Sequence, residues 1–179
     1  ATRPTGAGEM FQLLRDGKPR TRAELGTITG QARSTIAARI DALMATGLVG
    51  PTGDAAASTG GRPPATFAFQ PGSRIVLSAD PGAPHAHLAG SDLASEILAE
   101  HTEQISIAAG PEAVLEHVTR VGAELVTRAG REMSELASVG VGLPGPVDHS
   151  TGRPTNPPIM PGWDGWDVTL SDGRRKHHD

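Results

Sequence analysis

The first part of the chain repeats its apolar residues at helical spacing, and the later part gathers them in short strand-like runs. Met10, Leu13 and Leu14 share one face of a short helix over residues 9–15, which Gly17-Lys18-Pro19 closes. Thr21 offers an N-cap hydroxyl, and Glu24 follows at capping-box spacing. A second helix carrying Ala23, Leu25 and Ile28 should therefore run to about Gly30. A third begins at Gln31 or Ser34 and runs to about Thr46, with Gly47 as its stop. On it Ile36, Ile40, Leu43 and Met44 recur at helical spacing and form one buried stripe. Gln31, Ser34, Thr35 and Ala38 project opposite that stripe, with Arg39 on the flank.

Leu48-Val49-Gly50 follows, then a loop rich in Gly, Pro and Ser, then Phe67 and Phe69 in strand alternation. Three helices, a loop and a strand in that order predict a winged helix-turn-helix. Gln70-Pro71-Gly72-Ser73 marks a boundary. After it, residues 74–79 read as a strand ending at Asp80, and residues 85–88 and 97–107 as two more. Gly110-Pro111 opens a helix with proline at its first position. Its Val114, Val118, Val121 and Leu125 make a stripe suited to packing on a sheet. Residues 136–141 read as a buried strand that runs into Gly142-Leu143-Pro144-Gly145-Pro146. The expected organisation is α+β with two domains: a winged helix over residues 1–70, then an α/β layer over residues 72–179.

A third helix of this kind belongs in a DNA major groove. Small polar residues near its start, Gln31, Ser34 and Thr35, let the backbone approach base edges, while Arg33 and Arg39 contact mainly phosphate. Three-helix mini-domains without DNA are also common, and the loop Ser58-Thr59-Gly60-Gly61-Arg62-Pro63-Pro64 tips the balance. Its prolines hold the backbone extended and its glycines let it lie close to the sugar-phosphate walls. Arg62 can then enter a minor groove, flanked by Thr59 and Gly61. Double-stranded DNA is the expected partner.

Charge sharpens this picture. Residues 1–64 carry eight Lys/Arg against five Asp/Glu, whereas residues 65–179 carry eight against fifteen. A basic first segment thus precedes an acidic remainder, within a total of -4. Aromatic residues make up only 3%, so the core must be aliphatic. No cysteine is present, which excludes disulfides, thiolate metal sites and cysteine nucleophiles. No apolar run reaches membrane-span length and no signal pattern opens the chain, so a cytoplasmic setting is expected.

Catalytic patterns are missing: no Ser-His-Asp order, paired carboxylates or Walker loop can be drawn. His85 and His87 would share a strand face, but a metal needs a third ligand, so two solvated imidazoles are the preferred reading. Trp163 and Trp166, flanked by Asp164 and Asp167, suit either carbohydrate stacking or packing in a Gly/Pro-rich loop. No catalytic residue, metal or cofactor is assigned.

Several of these motifs together resemble the N-terminal part of ROK-family transcriptional regulators, the family of repressors and sugar kinases. They are the third helix with its Leu48-Val49 exit, the 58–64 loop, Val139-Gly140-Val141-Gly142-Leu143-Pro144-Gly145-Pro146-Val147-Asp148, and Pro157-Pro158-Ile159-Met160-Pro161-Gly162-Trp163. The resemblance implies that Arg62 reads an A·T-rich minor groove. It also implies a homodimeric repressor of carbohydrate-metabolism genes, whose second domain is ribonuclease-H-like, of the actin/hexokinase superfamily, and senses a sugar or sugar phosphate. In the kinase branch an Asp-x-Gly turn handles ATP phosphate. Here that turn is Asp80-Pro81-Gly82-Ala83-Pro84, and two prolines remove two N–H donors from it. The family's catalytic Asp, its sugar-contacting His and Glu and its zinc motif have no counterparts here, and Asn156 alone stands near the sugar-side loop. The expectation is a DNA-binding regulator without enzymatic activity, truncated in its second domain, with an apolar sheet face lacking its partner. The alternatives are an ATP-dependent sugar kinase and a non-functional remnant of a regulator.

Overall fold

A computed structural model of the chain describes residues 6–52, 64–82, 84–148 and 150–168. The chain divides into two compact units, Ala1–Ser73 and Arg74–Asp179.

The first unit holds three helices, α1 (Ala7–Leu14), α2 (Arg22–Thr29) and α3 (Arg33–Ala45), and strands β1 (Arg20–Thr21), β2 (Val49–Thr52) and β3 (Thr66–Phe69). Thr21 begins α2 with a reciprocal cap. Its hydroxyl accepts from the Glu24 N–H at 3.2 Å, and its own N–H donates to the Glu24 carboxylate at 2.7 Å. Gly30 ends α2 in the left-handed region at φ 68°, where a side chain would be strained. A bidentate pair fixes the preceding turn, with the Arg20 guanidinium on both Asp16 oxygens at 2.7 and 2.6 Å. This pairing, with the Lys18 N–H, holds the Asp16 carboxyl well below the usual carboxylate range.

Met10, Leu14, Leu25, Ile36, Ile40, Leu43, Val49 and Phe67 form one buried core. Phe11 meets Phe69 edge-on, with ring centroids 5.5 Å apart. Ile28 of α2 is 54% exposed, because only Leu25 lies on the inward side of a two-turn helix. The three strands pair antiparallel in the order β1-β3-β2. The Thr52 and Thr66 hydroxyls bond across β2 and β3 at 2.6 Å, at the base of the connection that contains residues 53–63.

The second unit is a four-stranded sheet with one long helix against it. Its strands are β4 (Ile75–Pro81), β5 (Ala86–Ser91), β6 (Ile97–Glu103) and β7 (Leu136–Val141), in the order β6-β5-β4-β7. β4, β5 and β6 run antiparallel in sequence, and β7 lies parallel to β4 after the crossover through α4 (Pro111–Arg128). Val114, Val118, Val121, Leu125 and Val126 of α4 are buried with Ile75, Leu77, Ala79, Ala86 and Leu88 of the sheet. Gly122 permits this close approach, since a Cβ there would lie 3.0 Å from Leu77 Cδ1.

Strand alternation places Ser78, Asp80, His87, Glu100, Thr102 and Ser138 on the opposite face, all exposed. The expected uncovered apolar face is thereby corrected: the sheet buries one side under α4 and turns a polar side to solvent. β7 also differs from expectation. It is half exposed, because among the described residues it pairs only with β4. β6 ends at Glu103, short of Ile107, and β4 continues through Asp80 to Pro81. A two-stranded piece, β8 (Val147–Asp148) and β9 (Arg153–Pro154), follows. Trp163 then closes the core, fully buried, with its indole N–H donating to the Ile107 carbonyl at 3.0 Å.

Two consequences are testable by urea unfolding of the whole chain, followed by circular dichroism. Trp163→Ala should cost the second unit about 3–5 kcal/mol, and Trp163→Phe at least the roughly 1 kcal/mol of the lost hydrogen bond. An unchanged transition in both would contradict the anchoring role. The Thr21 hydrogen bonds hold the Glu24 carboxyl below its ordinary value, so its contribution is complete above the unfolded-state value near 4.5 and fades as pH falls through the lower folded value. Glu24→Gln should lose that part of the acid sensitivity of the first unit. An identical stability-pH profile for the variant would contradict the cap's contribution.

Candidate nucleic-acid interface

The buried stripe of α3 decides which residues face outward. With Ile36, Ile40 and Leu43 inside, Arg33, Ser34, Thr35, Ala38, Asp41, Ala42 and Ala45 are exposed. Most of these are small, so another molecule can come close to the helix backbone. Thirteen residues make α3 about 20 Å long, and the roughly 12 Å width of a major groove would take its first two turns. Ala32 sits at the N-cap without a side-chain hydrogen bond, so its side chain leaves the first N–H groups of the helix uncapped. A shallow hollow of about 490 Å³ lies alongside, lined by Ala7, Ser34, Thr35, Ala38, Arg39 and Ala42.

Electrostatics separates the arginines of this unit. Arg20 is cancelled by Asp16 at 2.6 Å and Arg22 by Asp41 at 3.1 Å. Arg22 also stacks on Phe67, its guanidinium carbon 4.5 Å from the ring centroid. Arg33 and Arg39 have no carboxylate partner among the described residues. Arg39 is half-buried, and its guanidinium donates to the side-chain carbonyl of Gln31. α3 therefore keeps two positive charges that no carboxylate among the described residues neutralises.

Five residues singled out from the sequence, Gln31, Arg33, Ser34, Thr35 and Arg39, thus lie together on or just before α3. Thr59, Gly61 and Arg62 lie outside the described residues. The paired bases of β2 and β3 bracket the loop that carries them. Arg22 and Asp41 were not singled out, although they set the charge balance beside α3. Their pairing spans nineteen positions and no local spacing announces it.

The remaining candidates belong to the second unit and do not form one site. Asp80 is exposed on β4, with its carboxylate beside Gly142. Pro81 pairs with Ala86 at the end of a hairpin, the Gly82 N–H donates to the His85 carbonyl at 2.8 Å, and the Gly82 carbonyl accepts from Ile107 at 3.0 Å. Ala83 lies outside the described residues. Asn156 adopts φ 43° in its turn, with its N–H donating to Asp164 at 2.7 Å. His87 faces Glu100 at 3.5 Å, and no cluster of three His, Asp or Glu able to hold a metal occurs among the described residues. Among these same residues no helix is long and apolar enough to cross a membrane.

No protein-family model matches the sequence, and neither does any curated protein. A likeness to a solved structure does exist. It is a crystal structure described as that of the ROK family transcriptional regulator, homolog of E. coli MLC protein, with a TM-score of 0.66 and 22% sequence identity. The superposition covers 86% of this chain but 39% of the other, so the chain spans well under half the length of that regulator. Over that span the chain has the mixed α/β fold of a ROK-family transcriptional regulator.

Proposed function

We propose that the chain is a sequence-specific DNA-binding transcriptional regulator. The Ala1–Ser73 unit acts as a winged helix-turn-helix: α3 enters the major groove, and the β2–β3 connection is the wing, with Arg62 in the minor groove beside it. The observation that carries this reading is the outward face of α3, where small residues and two uncancelled arginines stand together on a helix whose other face is buried. Ser34 and Thr35 meet base edges, and Arg33 meets phosphate. The sheet and α4 are a portion of a ribonuclease-H-like effector domain.

Repression of carbohydrate genes, a sugar or sugar-phosphate effector, a homodimer and a cytoplasmic location complete the proposal at the level of resemblance. Domain limits of 1–70 and 72–179 follow from the same reading. The chain is proposed to lack kinase activity. Support comes from the Asp80–Gly82 turn, where Pro81 has no N–H and the Gly82 N–H is spent on His85.

Selection from a random duplex library should yield a preferred site. Its affinity should fall steeply with salt, because each phosphate contact releases a counterion. Arg33→Ala should weaken all sequences alike and reduce the salt slope by about 1. Arg62→Ala should cost about 1–3 kcal/mol on A·T-flanked sites and less on G·C-flanked ones. Recovery of no duplex above background would refute the function, and equal Arg62 losses on both flanks would remove the minor-groove role. Separately, a coupled ADP-release assay across common hexoses should stay at background. Sugar-dependent turnover that survives repurification would refute the non-enzymatic reading.

A further inference from the structure

We infer that Gln31 does not read a base but holds the Arg39 guanidinium as a charged, donor-rich clamp for a DNA backbone phosphate. This rests on the DNA-binding reading and assigns the pair its ligand chemistry. An adenine edge is read by a glutamine that accepts from N6 with its carbonyl while donating to N7 with its amide. In this chain the Gln31 carbonyl already accepts from Arg39 Nη1. What the pair still offers is mostly donor: the remaining guanidinium N–H groups and the Gln31 amide, beside one lone pair of a carbonyl already turned toward Arg39. A majority of donors around a full positive charge matches the oxygens of a phosphate.

The identity of the partner matters as much as its position. Two arginines of this unit are held by carboxylates, Arg20 by Asp16 and Arg22 by Asp41, and their charge is cancelled, whereas Arg15 at the end of α1 donates to the Gln12 carbonyl at 3.2 Å as an exposed pair. An amide orients a guanidinium without cancelling it. Gly6, at φ 96°, lies beside Arg39, where an added Cβ would stand in ordinary van der Waals contact, 3.8 Å from Arg39 Nε. Arg39 is also half-buried on the flank of α3, whereas Ser34 and Ala38 stand on the exposed crown. That position faces a groove wall, where the phosphates are, and not its floor.

The test uses the whole chain and a duplex obtained by selection, with affinities measured across salt concentrations and across single base-pair substitutions. Arg39→Ala should weaken binding about tenfold and lower the salt slope by about 1. Gln31→Ala should weaken binding several-fold for every base-pair variant alike while leaving the slope unchanged. Gln31→Glu should lower the slope as Arg39→Ala does, since it cancels the charge. In an Arg39→Ala background, Gln31→Ala should have no further effect. Unfolding midpoints of the variants confirm that each is folded. A change of preference at one base pair on Gln31→Ala, or full additivity with Arg39→Ala, would overturn the clamp while leaving DNA binding intact. Absence of binding by the wild-type chain would overturn both.

Discussion

Ile36, Ile40 and Leu43 occupy one side of α3, and their burial with Met10, Leu14, Leu25 and Phe67 settles which side of that helix meets solvent. Rotating α3 about its axis would carry part of that buried apolar surface into water, at a cost of about 25 cal/mol per Å². Rotation is thereby resisted, and Arg33, Ser34, Thr35 and Ala38 stay together outside. The other parts of this unit serve the same packing. The Thr21–Glu24 cap fixes where α2 starts, and Gly30 ends it in the left-handed conformation, so the turn into α3 is short. Arg22, stacked on Phe67 and paired with Asp41, ties α2 and α3 to the strands.

The second unit obeys a similar rule with different means. α4 lays a nearly continuous aliphatic stripe on one face of the sheet, and Gly122 lets it come close over Leu77. Few aromatic residues are available, and Trp163 is used where it fills the most space, with its N–H satisfied by Ile107. The same Ile107 donates its N–H to Gly82, so the hairpin turn, the short helical turn Ile107–Ala109 and the Trp163 loop are fastened at one residue. This fastening gives the Asp80–Gly82 segment a structural occupation.

What could be read from the sequence was whatever is encoded within a few residues. The Thr21-x-x-Glu24 box and the Ile36–Ile40–Leu43 stripe are signals at separations of three or four, proline at the start of α4 is a signal of one residue, and each appears where expected. Distant partners were not legible. β7 carries Leu, Val and Val, yet its half exposure depends on having one neighbour and not two. The exposure of Ile28 was not legible either, because helical spacing cannot say how many neighbours reach α2. The polar face of the sheet needed the register of four strands before Ser78, His87, Glu100 and Ser138 could be seen to share it. The bond from Arg39 to Gln31, eight positions apart, escaped for the same reason, and so did the Gly82 N–H given to His85.

The proposed function requires α3 to be the surface that meets DNA, and backbone amide shifts of the isotope-labelled whole chain report this directly. On titration with a duplex recovered by selection, the largest changes should fall on residues 31–39, with the amides of Ser34, Thr35 and Ala38 foremost and those of α4 unmoved. Changes confined to the second unit, with the residue 31–39 amides unmoved under bound DNA, would contradict it.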